Sequence, residues 1–296
     1  MALTKIEAAK LSNDLLVRGV IETIVKESAI LSYLPFMEVT GTAVRYTREA
    51  TLPAVSFYVP GDTWTEATPT YTSQVAELKI LGGDADVDNF LQATYADSND
   101  LEAEVIASRA KAIAHKFSDT FFNGDSSIDA KSFDGLKTLT PAGQTLNMGT
   151  NGGSLTLARM DELIDAVMPG KPEVLLMSKR SRRKLKDLRR SSGSVLETSI
   201  NQFGERIETY DGIPVVVDDF MSDAETQGTG TQLSSVYALK FGQGTGLMGL
   251  EHGGISVEPV GELETKDATR TRIKWYAGLA LFSTLGVARL TGITAT

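Results

Sequence analysis

The chain has 296 residues, of which 42% are hydrophobic and 23% charged, a globular composition with enough apolar material for one or two cores. Its 29 Lys and Arg against 38 Asp and Glu leave a net charge of −9, and such a surface repels phosphate backbones and anionic membranes on average. Cysteine is absent and histidine occurs only at His115 and His252, which excludes disulfides, thiolate nucleophiles, iron–sulfur clusters and multi-histidine metal sites within one chain.

The first residues, Met1 to Glu7, carry mixed charge and no apolar signal-peptide core. The longest apolar stretch, 277–288, is too short to span a bilayer and contains two glycines. The expectation is a soluble chain with no membrane partner.

Residues 1–36 read as an amphipathic helical arm, with Val17, Val20, Ile21, Ile24 and Val25 at helical spacing and Pro35 as its stop. The texture changes at 51–83. Three prolines, Pro53, Pro60 and Pro69, stand among threonines and aromatics, so extended chain is expected. Ala76, Leu78 and Ile80 then alternate with Glu77 and Lys79 as a half-buried strand. Together these arms predict a long hairpin. A two-stranded ribbon is marginal in water, so it needs another surface to rest on.

Residues 99–123 predict a long helix, with Asn99 and Glu102 as a capping box. Ile106, Ala110, Ile113, Phe117 and Phe121 form its apolar stripe; Ser108, Lys111, His115, Ser118 and Asp119 fall on the other face. Its length is about 34 Å, and Asn123-Gly124 supplies a left-handed stop. A loop is expected over 124–153. A compact α/β block then runs from 154 to 250. Its parts are a helix over 155–168 ended by Pro169-Gly170, a buried strand at 173–177, and a helix capped by Ser178 that reaches about Arg190. A strand at 213–217 entered through an Asp211-Gly212 turn, a polar loop at 222–234 and a strand at 236–241 complete it. Beyond the block, Thr271, Ile273 and Trp275 alternate with Arg270, Arg272 and Lys274, a strand with one basic face, and Val287 to Leu290 predicts a last strand.

Four patterns invite a chemical reading. Gly244-Thr-Gly246-Leu-Met-Gly249 matches a dinucleotide fingerprint, but Gly253 and Gly254 oppose the helix that motif needs, so a glycine-rich turn is expected. Asp84, Asp86 and Asp88 begin like a calcium loop, but Asn89 stands where that loop needs glycine, so an acidic strand face is expected. Residues 179–190 hold eight cations interrupted by Asp187, a patch suited to a nucleic acid, a sister subunit or plain solvent. His115 and His252 have no nucleophile or metal-spaced companions. No catalytic residue, cofactor site or metal site is assigned, and an enzyme is not expected.

The order of parts resembles the major capsid proteins of tailed bacteriophages, the Hong Kong 97-type fold. Residues 19–22 through 32–36 are similar to that family's N-terminal arm. Trp64-Thr-Glu66 with Lys79-Ile-Leu81 is similar to its extended loop. Phe121 to Asp125 with Phe133 to Leu136 resembles the end of its spine helix, and Tyr210 to Val216 resembles a strand of its axial domain. The resemblance implies an α+β fold. The arm and first peripheral strand occupy 1–50, the extended β-hairpin loop 51–84, the peripheral domain 85–153 and 251–296, and the axial α/β domain 154–250. It implies a structural subunit that self-assembles into pentamers and hexamers of an icosahedral head, encloses double-stranded DNA without reading its sequence, and resides in the virion after assembly in the host cytoplasm. Partners implied are further copies of the chain and a portal; because the arm begins almost at Met1, a separate scaffolding protein, or none, is implied. Expected inter-subunit contacts are Trp64, Glu66, Tyr71, Lys79, Arg182, Arg183 and Lys186. The alternatives are an encapsulin-like compartment, an α/β enzyme built on 154–250, and a nucleic-acid module built on the basic helix. Some family members carry Lys–Asn cross-links, but no motif marks an asparagine partner for Lys79.

Overall fold

The computed structural model describes residues 24, 28–95, 101–193, 197–200 and 206–295. The helix expected over 1–36 falls partly on these residues: Ile24 is helical and fully buried, but Ala29–Ser32 form only a 3-10 turn and Phe36 already begins a strand, so no α-helix runs up to Pro35. The Asn99 cap lies outside the described residues.

The strands are β1 (Phe36–Glu38), β2 (Ala43–Thr51), β3 (Thr70–Glu77), β4 (Lys79–Asp88), β5 (Thr145–Asn147), β6 (Val174–Met177) and β7 (Glu197–Ile200). They continue with β8 (Arg206–Tyr210), β9 (Ile213–Val217), β10 (Glu225–Gln227), β11 (Gly230–Leu239), β12 (Leu247–Glu262), β13 (Ala268–Leu281) and β14 (Val287–Ile293). The helices are α1 (Asn89–Tyr95), α2 (Leu101–Asn123), α3 (Leu136–Leu139), α4 (Leu157–Asp165) and α5 (Lys179–Ser191).

Three sheets organise the chain. One has the order β1-β12-β13-β4, with only β1 parallel to its neighbour. The predicted stripe of α2 packs against it: Ile106, Ala110, Ile113, Phe117 and Phe121 are all buried. Trp275 sits at the centre, 4.7 Å from the Phe117 ring and 5.6 Å from that of Phe36. Burying one ring of this size removes about 150–250 Å² from water, worth ~4–6 kcal/mol before entropy is counted.

The second sheet runs β5-β14-β11-β6-β9-β8-β7, with β10 on β11. It is covered on both faces, which is why Val174 to Met177 reads as an unbroken apolar run. Val174, Leu176, Tyr237 and Leu239 join the core that holds Trp275, whereas Leu175, Met177, Val236 and Ala238 pack under α4 and α5. The third sheet is the β2-β3 hairpin alone.

Local chemistry accounts for several boundaries. Thr156 Oγ1 accepts from the Arg159 N–H to cap α4, and Ser178 Oγ accepts from the Ser181 N–H to cap α5. Asp211 and Gly212 both take positive φ, 52° and 76°, in the tight turn that pairs Tyr210 with Ile213.

Some expectations are corrected. Gly124 ends α2 without a left-handed φ; glycine is needed there because a Cβ would lie 2.3 Å from the Phe133 carbonyl oxygen. Ser118, expected on the exposed face of α2, is buried and its hydroxyl lies 2.7 Å from that of Ser28. The expected polar loop at 222–234 contains the β10-β11 hairpin, and the expected loop at 124–153 contains α3 and β5. Strands β5 and β14, from stretches the sequence reading gave to the peripheral domain, lie in the second sheet, where β14 pairs with both β5 and β11.

Candidate inter-subunit surface

The hairpin starts earlier than the sequence reading placed it. Its paired arms are Ala43–Thr51 and Thr70–Glu77, and residues 52–69 extend beyond them as a long tip. The chain passes from β3 into the first sheet at Leu78, whose N–H donates to the Thr42 carbonyl. That passage shifts the alternation: Ala76 is buried, but Ile80, expected to face a core, is exposed. The root is fixed by Tyr46, whose ring lies 4.8 Å from Phe282, and by Arg48, which donates to the Leu281 carbonyl.

Seven large apolar side chains on this hairpin are exposed: Leu52, Val55, Phe57, Val59, Trp64, Tyr71 and Val75. No described residue covers them. The tip is nevertheless ordered by its own contacts. The Tyr58 and Trp64 rings stack at 4.4 Å, and the Tyr58 hydroxyl accepts from the Thr65 N–H at 3.1 Å. The Val59 N–H donates to Asp62 Oδ2 at 2.8 Å. A surface with this much apolar area and a preset shape is the pattern of a protein contact.

Trp64, Glu66 and Tyr71 therefore share one exposed projection. Lys79 does not join them. It stands at the root, where its ammonium binds Glu77 at 2.8 Å and the Ala130 carbonyl at 3.1 Å. The sequence reading singled out Trp64 but passed over Val55, Phe57 and Tyr58; the run of alternating apolar residues between Pro53 and Pro60 was the available signal.

Arg182, Arg183 and Lys186 lie on α5, over the second sheet. Acids of the same chain take up part of the patch. Lys179 pairs with Asp219 at 2.6 Å, Arg180 with Asp223 at 3.5 Å, and Lys186 with Glu208. The Arg189 guanidinium lies over the Tyr210 ring at 5.4 Å. Burial, followed by the hydrogen bond donated to Asp161, pushes the Tyr210 hydroxyl far above its ordinary pKa. The side chains of Arg182, Arg183, Lys184 and Arg190 have no hydrogen-bond or ion-pair partner among the described residues.

The acidic strand face is confirmed. Arg270 and Arg272 each grip a carboxylate of β4 with two nitrogens, Arg270 on Asp86 and Arg272 on Asp84. Lys266 adds a bond to Asp86 at 2.7 Å. The hydrogen bonds from Arg270 and then Lys266 hold the Asp86 carboxyl well below the usual carboxylate range. Among the described residues, no group of three or more acidic or histidine side chains is placed to hold a metal ion. Gly244 to Gly249 is a turn into β12 and no helix follows it; a Cβ on Gly246 would lie 1.9 Å from the Lys240 carbonyl oxygen. His252 is engaged through Nδ1 with the Val39 carbonyl, and His115 packs 5.1 Å from the Phe220 ring. No helix among the described residues is long and apolar enough to cross a membrane.

A model of the phage capsid family matches residues 11–291. The chain belongs to the phage capsid family. Family membership makes it a structural, capsid-type protein rather than an enzyme. Solved structures agree in fold. The encapsulin of the holo-SrpI complex from Synechococcus elongatus PCC 7942 matches with a TM-score of 0.73 and 19% identity, covering 100% of this chain and 98% of that one. The capsid of the native GTA particle matches with a TM-score of 0.65 and 14% identity, covering 90% and 91%. A Microbacterium phage Oxtober96 chain matches with a TM-score of 0.63 and 17% identity, covering 90% of each. The architecture is the expected α+β Hong Kong 97-like one. No curated protein matches the chain.

Proposed function

We propose that this capsid-family protein is the repeating subunit of an icosahedral phage head, assembled as pentamers and hexamers around double-stranded DNA. The observation that carries this reading is the hairpin: seven exposed apolar side chains on an ordered projection with no core of its own. A neighbouring copy supplies the missing surface, and repeated head-to-tail contacts of this kind close into rings and shells. In this reading the four-stranded sheet with α2 is the peripheral part and the eight-stranded sheet the axial part. The net charge of −9 suits a wall that must not bind packed duplex tightly. A scaffolding protein and a portal are the further partners, and the virion is the destination after assembly in the host cytoplasm.

A second reading is an encapsulin-type compartment that holds protein cargo. Its support is the end-to-end match to the Synechococcus elongatus encapsulin. Electron microscopy of purified particles, with nuclease-protected nucleic acid and copurifying protein measured in parallel, separates the two. Closed shells with protected DNA favour the head, and closed shells with a stoichiometric cargo protein favour the compartment. A chain that stays monomeric at every concentration rejects both.

A further inference from the structure

The two helices that cover the outer face of the second sheet have exposed sides of opposite sign. α4 packs on β14 and β11, toward the β5 edge, and α5 packs on β11, β6 and β9, toward the β8-β7 edge. The exposed side of α4 carries Asp161, Glu162 and Asp165. Asp161 accepts from the Tyr210 hydroxyl at 2.7 Å and Glu162 pairs with Arg159, while Asp165 has no partner among the described residues. On α5, Lys179, Arg180 and Lys186 pair with Asp219, Asp223 and Glu208, Arg182 and Lys184 are half-buried with no side-chain partner among the described residues, and Arg183 and Arg190, both exposed, are left over.

We infer that the exposed side of α5 docks on the exposed side of α4 of a second copy, and that this contact closes the axial parts into a ring. The inference deepens the shell reading and rests on it. A bipolar layer, acidic toward one edge and basic toward the other, is complementary to itself head to tail, the arrangement that generates rings. Asp187 favours a protein over a nucleic acid as the occupant. It is exposed and lies one turn from Arg183 and three residues from Arg190, so it would repel a continuous run of phosphates.

The test is charge exchange in the full chain. Arg183→Glu with Arg190→Glu should raise the protein concentration needed for rings and shells at least tenfold, read by light scattering and size-exclusion chromatography, while the circular dichroism spectrum stays that of the parent. Adding Glu162→Lys and Asp165→Lys to the same chain restores the net charge and should restore assembly. Adding Glu262→Lys and Glu264→Lys instead restores the net charge at the end of β12 and in the loop after it, on the other sheet, and should not. Normal assembly of the first variant overturns the inference, as does equal rescue by both pairs of lysines. Normal assembly with loss of copurifying nucleic acid also overturns it and assigns α5 to the nucleic acid. If the parent never assembles, the shell reading fails and this contact fails with it.

Discussion

Trp64 lies against Tyr58 with ring centroids 4.4 Å apart and planes 24° from parallel, at a hairpin tip with no hydrophobic core beneath it among the described residues. Local stacking thus presets the shape of a tip whose apolar faces remain in water. Trp64→Ala should leave the subunit folded and monodisperse, because the ring supports nothing in the body. Assembly should suffer, since truncating a central aromatic anchor costs about 2 kcal/mol or more per contact. The check pairs thermal melting with light scattering; a variant that melts and assembles like the parent would remove the tip from the interface.

The root and the tip should separate by mutation. Replacing residues 53–68 with a short glycine-containing turn keeps the β2-β3 ladder and the Tyr46–Phe282 contact. The product should be soluble and unable to close shells. Phe117→Ala, by contrast, opens the core around Trp275 and should cost about 3–5 kcal/mol of stability, measured by urea unfolding of the unassembled subunit.

Acid should act through the β4-β13 ladder. Asp84 and Asp86 ionise at lower pH in the fold than in the unfolded chain, mainly through hydrogen bonds from Arg272 and from Arg270. Their contribution is therefore complete above the ordinary carboxylate range near 3.9 and is lost as pH falls through the depressed values in the fold. Asp86→Asn should flatten the dependence of melting temperature on pH below about 5. Because these side chains are solvent-accessible, high salt should weaken the difference. An unchanged pH profile would contradict this account.

Asp218 should behave in the opposite sense. It is buried, and burial raises its pKa although the Phe220 N–H donates to it at 2.9 Å. Holding the charged form inside the fold therefore costs stability at neutral pH, and the cost fades as pH falls through its raised value. Asp218→Asn keeps an acceptor for Phe220 and should raise the melting temperature at pH 7, with the gain vanishing in acid. A loss of stability at neutral pH would show that the carboxylate has a favourable partner.

Gly246→Ala should prevent folding into soluble protein, since its Cβ would meet the Lys240 carbonyl oxygen at 1.9 Å, inside the turn that starts β12. Gly143→Ala, where a Cβ meets nothing within 4 Å, is the matched control and should be neutral within about 0.5 kcal/mol. Expression and melting of the two variants measure the difference.

By itself the sequence determined what a few neighbouring residues can decide. The α2 stripe, the Ser178 cap, the Asp211-Gly212 turn and the alternation of Thr271, Ile273 and Trp275 each follow from spacing or turn chemistry within one element, and all are found in the fold. Tertiary structure decided which sheet an element joins and which side chains stay free. β14 reads as a strand wherever it lies, and only its hydrogen bonds to β11 and β5 put it in the eight-stranded sheet. Lys186 and Arg183 look alike within one basic run, and only Glu208, 22 positions beyond Lys186, makes one of them an internal ion pair. The physical reason is reach: backbone preference and hydrophobic period act over one or two turns of chain, whereas strand pairing and ion pairing depend on groups that folding brings together from distant positions.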